Sequence, residues 1–119
     1  MAVSAGFGDF VREQMAGFGP VTLRRMFGGA GLFREGLMFA LISDDVLYFK
    51  AGGEGRKAFE AGGLPPFTYA TKTGEHTLTS YWRAPERVFD DPDEMAEWAR
   101  RAFAVAVAAA RGKKKQVRR

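Results

Sequence analysis

Residues 25–42 read RMFGGAGLFREGLMFALI, and the reading of this stretch decides the fold. Its second half, Leu37-Met38-Phe39-Ala40-Leu41-Ile42, is apolar without alternation, the pattern of a central strand covered on both faces. Glu35-Gly36 is a two-residue hairpin signal, so residues 32–34 and 37–42 are expected to run antiparallel. Upstream, residues 21–27 read as another short strand. Gly28-Gly29-Ala30-Gly31 would join it to the hairpin as a bend or bulge, where glycine permits unusual backbone angles and close packing.

Working outward, Asp44-Asp45 marks a tight turn into residues 46–50. There Leu47 and Phe49 point one way, Tyr48 and Lys50 the other, as in a half-exposed strand. Before the strands, Phe7, Phe10, Val11, Met15 and Phe18 recur at helical spacing, with Ser4 as N-cap and Gly17, Gly19 and Pro20 ending the helix. After them, a short helix over 56–61 is closed by Gly62-Gly63. Two further strands, at 67–69 and 77–83, flank a turn over 72–75. In the second of these strands Leu78, Ser80 and Trp82 share one face, and Thr79, Tyr81 and Arg83 the other.

The last helix is the best marked. Asp91 is its N-cap, Pro92 its first residue, and Glu94 is placed to complete a capping-box-like start. Met95, Trp98, Ala99, Ala102, Phe103 and Ala106 form its apolar stripe, and Gly112 is its expected stop. The order is helix, three or so strands, short helix, two strands, long helix: an α+β class. Residues 1–110 are expected to form one domain, and residues 111–119 a basic, disordered tail.

Composition agrees with a packed core and restricts the chemistry. Hydrophobic residues make up 46% of the chain, eleven of them Phe, which is too many for a disordered protein. The absence of cysteine excludes disulfides, thiolate nucleophiles and cysteine-ligated zinc, and fits a reducing, cytoplasmic setting. No apolar run approaches the ~20 residues that span a bilayer, so no membrane partner is expected. The formal charge of +4 resides in the tail: Arg111, Lys113, Lys114, Lys115, Arg118 and Arg119 are its six positive charges. Without them, twelve bases face fourteen acids.

No catalytic set emerges. His76 is the one histidine, no serine sits in a nucleophile elbow, and no Walker-type loop occurs. Asp44-Asp45 and Asp90-Asp91 are explained by turns and caps. No metal or cofactor is expected. Three binding surfaces stay open. Gly28, Gly29 and Gly31, with Arg24 and Arg25 beside them, form a candidate anion loop, although Arg34 stands where a dinucleotide fingerprint needs its third glycine. Tyr48, Lys50, Tyr81 and Arg83, on one sheet face, suit stacking and phosphate contact with a nucleic acid. Lys113, Lys114, Lys115, Arg118 and Arg119 would then add an electrostatic arm. The Phe-rich stripe of the first helix suits a protein partner or a homodimer.

Five blocks carry a family resemblance: RMFGGAGLFREGLMFALI at 25–42, LYFK at 47–50, PFTY at 66–69, SYWRAPE at 80–86 and DDPDEMAEWARRA at 90–102. In order and spacing, over residues 7–110, the chain resembles the N-terminal domain of the TfoX/Sxy family. The resemblance implies a curved antiparallel sheet, of about five strands here, with elements in the order α-β-β-β-α-β-β-α. The best-known members are positive regulators of natural competence in bacteria, where a second, C-terminal TfoX domain follows. It implies a non-catalytic regulatory module working through a protein partner. Nucleic-acid binding and small-ligand or anion binding are the alternatives.

Overall fold

The computed structural model describes residues 5–26, 29–53 and 55–117, the side chains of residues 5 and 113–117 excepted. The elements run α1 (Ala5–Gln14), β1 (Thr22–Met26), β2 (Gly29–Arg34), β3 (Leu37–Ser43), β4 (Val46–Lys50), α2 (Gly55–Ala61), β5 (Pro66–Thr71), β6 (Gly74–Arg83), a 3-10 turn (Glu86–Phe89) and α3 (Pro92–Val117). The α+β class and the order of helices and strands agree with the sequence reading. Six strands form rather than about five, in one antiparallel sheet ordered β1-β2-β3-β4-β6-β5.

The hairpins follow from their turn residues. Glu35 and Gly36 take φ of 52° and 80°, and Asp44 and Asp45 both take 57°. Two consecutive left-handed residues make the turn whose twist matches the strands, and Asp and Gly tolerate that backbone best.

The register separates the two sheet faces. Leu23, Leu32, Ala40, Phe49 and Trp82 are paired in sequence across five strands and face the helices. A bulge between Leu32 and Phe33 leaves Phe39 as the extra residue of β3. It turns Phe39 into the core beside Ala40, where its ring lies 5.1 Å from Phe18 and 6.4 Å from Phe103. On α3 the expected stripe is in place: Met95, Trp98, Ala99, Ala102 and Ala106 are buried, and Phe103 packs against them. Trp98 meets Phe59 of α2 at 4.9 Å.

Polar side chains fix the helices on this core. Gln14 donates from Nε2 to the carbonyls of Val88 and Phe89, tying α1 to the 3-10 turn. Arg34 donates to the Phe18 carbonyl at 2.6 Å, with its guanidinium 4.6 Å from the Phe18 ring and 5.5 Å from Phe103. Arg34 is thus a clamp between the end of α1, β2 and α3.

Four local details differ from the sequence reading. α1 ends at Gln14, and residues 15–18 form turns, with Phe18 and Gly19 both donating to the Met15 carbonyl. Gly29 and Gly31 lie within β2 and not in a connecting loop; Gly28, the Phe27 end of the first strand and the Ser4 cap fall outside the described residues. Asp91 does cap α3, accepting from the N–H groups of Asp93 and Glu94. Glu94, however, closes no capping box: the Asp91 N–H already donates to Val88, and the Glu94 carboxylate accepts from Trp98 and Arg87. Those bonds, the one from Trp98 foremost, hold the Glu94 carboxyl below its ordinary pKa. Finally, Gly112 does not stop α3, whose backbone continues to Val117.

Candidate interaction surface

The sheet face turned away from the helices holds most of the sequence-nominated residues. Arg24, Gly31, Leu41, Tyr48 and Arg83 are paired in one row across five strands. Lys50 and Tyr81 pair in the next row on the same face. The structure therefore brings Tyr48, Lys50, Tyr81 and Arg83 together, with Arg24 at the far end of the row. Arg25 does not join them: it pairs with Ala30, whose side chain is in the core, and so lies on the helix side.

This face is strongly concave. Phe67 of edge strand β5 lines an apolar cavity of about 140 Å³ together with Met26 of the opposite edge, and with Met38 and Leu41 of β3. Four strands separate β1 from β5 in the sheet, so only pronounced curling brings these residues together. Irregular pairing between Pro66 and Phe67, and the bulge at Leu32, supply the bends.

Curling covers the tyrosines. Phe67 packs edge-on against Tyr48 with centroids 4.9 Å apart, and the Lys50 ammonium sits 5.0 Å from the Tyr81 ring. Only 5% of Tyr81 remains exposed, and burial pushes its hydroxyl pKa up to about 12. Burial, the leading cause, also raises that of Tyr48, against a lowering effect of Arg83. A group whose acid form is favoured by folding stabilises fully below its unfolded pKa of about 10 and less as pH rises. Stability is expected to fall by about 2 kcal/mol between pH 10 and 12 through Tyr81 alone. Thermal melts of Tyr81→Phe over the same range should show a visibly smaller loss. Equal losses would place Tyr81 in water.

The glycines serve packing. A Cβ on Gly29 would strike the carbonyl oxygen of Ile42, and one on Gly31 would lie 2.7 Å from both Met26 Cε and Met38 Sδ. The space over Gly31 is filled by side chains. The Arg24 guanidinium stands 5.4 Å from the Phe33 ring.

What is left exposed is a feature the sequence reading did not single out. Every residue from 68 to 79 is exposed, so the distal parts of β5 and β6 project from the body as a two-stranded ribbon. One face of this ribbon carries the pairs Phe67–Leu78 and Tyr69–His76, and the other carries Thr68–Thr77 and Ala70–Glu75. Phe67 and Tyr69 stack at 5.7 Å, and Tyr69 lies 5.6 Å from His76. His76 Nε2 bonds the hydroxyls of Thr71 and Thr73, which fixes the turn. Of the three large hydrophobic residues left exposed among those described, Tyr69 and Leu78 are here, and Phe10 is on α1. The signal in the sequence was its poverty: TYATKTGEHTLT has too few large apolar residues to be buried on either face.

Lys113, Lys114 and Lys115 lie on the α3 backbone, and Arg118 and Arg119 fall outside the described residues. Among the described residues, no group of three or more His, Asp or Glu is arranged to hold a metal ion. No helix among them is long and apolar enough to cross a membrane.

The family model of the TfoX N-terminal domain matches residues 13–106. The DNA transformation protein TfoX1 of Aliivibrio fischeri (strain ATCC 700601 / ES114) is 42% identical over 75 residues. That match covers 63% of this chain and 34% of the relative, so the chain corresponds to about a third of that protein's length.

Proposed function

The chain belongs to the TfoX N-terminal domain family, and from that premise we propose that it is a non-catalytic regulatory module of the bacterial cytoplasm. It works through protein contacts in the control of natural competence. The observation that carries this reading is the ribbon over residues 68–79. It is exposed throughout, holds one Lys and one Glu, and displays Tyr69 and Leu78. Such a surface suits another protein better than a polyanion. The link to competence is supported by the family and by the name of the Aliivibrio relative.

Two other readings draw less support. The rings that would stack on bases are covered, Tyr81 almost fully. The apolar cavity, at about 140 Å³, is smaller than the ~300 Å³ at which small-molecule pockets begin.

Genetic complementation tests the proposal. In the host bacterium with the gene deleted, the wild-type chain should restore transcripts of the DNA-uptake genes. Tyr69→Ser combined with Leu78→Ser should leave them at the deletion level at equal protein abundance, whereas Lys50→Ala with Arg83→Ala should restore them. Full restoration by the ribbon variant would remove the basis of this reading.

A further inference from the structure

The curled sheet ends on two edges of different chemistry. Edge strand β1 reads TLRRM and carries Arg24 and Arg25. Charges of this kind are the common device by which an edge is kept from pairing with another chain. The opposite edge, β5, reads PFTYAT and carries no charge. Its residues favour strands, and residues 68–71 are exposed. Pro66 lacks an N–H and the turn begins at Lys72, so the open stretch is residues 67–71. Along it, alternate residues direct N–H and C=O groups outward. Among the described residues, no strand pairs with this side of β5.

We infer that β5 pairs antiparallel with β5 of a second copy of this chain. A two-fold axis through Tyr69, perpendicular to the ribbon, places Tyr69 opposite Tyr69 of the other copy. Thr68 then faces Ala70, and Phe67 faces Thr71. Odd-numbered residues share one face of the ribbon, so this register keeps Phe67 and Tyr69 of both copies in one continuous aromatic row. An edge without charge meets itself without repulsion, and Lys72 of each copy falls beyond the paired stretch. Self-pairing also answers a local weakness. A projecting two-stranded ribbon is marginally stable, whereas two ribbons together make four strands with an apolar face. The contact is isologous and closes on itself as a dimer rather than propagating.

This inference uses the same ribbon as the proposed function but not its regulatory role, and mass in solution reads pairing alone. Light scattering of the full chain on elution from a sizing column should rise from 13.1 kDa toward twice that value as the protein is concentrated. Thr68→Lys with Ala70→Lys sets lysine opposite lysine twice. It should stay at the monomer mass where the wild type is half dimeric, a weakening of roughly tenfold or more. Thr68→Lys with Ala70→Glu sets lysine opposite glutamate twice and should keep the dimer. A wild type that remains monomeric at every concentration, or a Lys/Lys variant that still dimerises, would overturn the inference. Loss of the dimer in the Lys/Glu variant would overturn the register centred on Tyr69. If the Lys/Lys variant is monomeric and still restores the uptake transcripts, pairing stands, and the regulatory contact does not require it.

Discussion

Replacing Phe39 with alanine is expected to lower the unfolding free energy by about 3–5 kcal/mol. The side chain is wholly buried and sits between Phe18, which follows α1, and Phe103 of α3. The bulge in the β2–β3 pair turns it toward the helices, so its loss opens a cavity where three elements meet. Neighbouring rings held by Arg34 are poorly placed to collapse into that space. Domains of this size have about 5–15 kcal/mol in all, so the loss is a large part of the total. Denaturant unfolding, with Phe10→Ala as comparison, measures it. Phe10 is 39% exposed, and its replacement should cost about 1 kcal/mol or less. Equal costs at the two sites would refute the placement of Phe39.

The two glycines of β2 should respond differently to the same added methyl group. At Gly29 the new Cβ meets the carbonyl oxygen of Ile42, a backbone atom that moves only if β2 and β3 separate. Gly29→Ala is therefore expected to cost about 2–3 kcal/mol, the range of overpacked interiors. At Gly31 the new atom meets only side chains, the flexible Met26 and Met38, which can turn aside, and the edge of the Phe33 ring. Gly31→Ala should cost less than Gly29→Ala, about 1–2 kcal/mol. Thermal melts of both variants give the order. If Gly31→Ala is the more damaging, then strand approach is not the reason for glycine at position 29. The contrast also bears on the glycine cluster as a phosphate loop. In the fold, Gly29 and Gly31 lie inside a paired strand, Gly29 against the Ile42 backbone and Gly31 beneath two methionines.

Most of the architecture was legible because local chemistry and global packing agree in it. Asp91 and Pro92 announced α3, and its stripe of Met95, Trp98 and Ala102 meets the sheet as its spacing required. The unbroken run 37–42 belongs to a strand in the sheet interior. The alternation of Tyr48 and Lys50 with Leu47 and Phe49 likewise matched the two faces of β4. Hairpin turns at Glu35-Gly36 and Asp44-Asp45 fixed which strands are neighbours.

What was not legible depends on curvature and distant contact. Strand composition placed Tyr48, Lys50, Tyr81 and Arg83 on one face. It could not show that the sheet curls until Phe67 covers Tyr48. In the sequence Arg34 stood out only as the residue in place of a fingerprint glycine. Its partners, Phe18 and Phe103, are 16 and 69 positions away in the numbering. Glu94 had the spacing of a capping box, yet Trp98 and Arg87 compete for its carboxylate, and the Asp91 N–H has another acceptor. The ribbon was read as two strands and a turn, which it is. Its projection follows from what does not pack on it, and strand propensity carries no record of that.

The central claim, that this domain acts by protein contact through its ribbon, is open to one direct measurement. A photo-crosslinking amino acid placed at position 69 in living cells reports what touches the exposed ring. Discrete adducts with protein are expected, including one with a chain other than this one, with loss of that heteromeric adduct in Leu78→Ser. Crosslinks to nucleic acid alone, or no protein adduct beyond this chain's own, would contradict it.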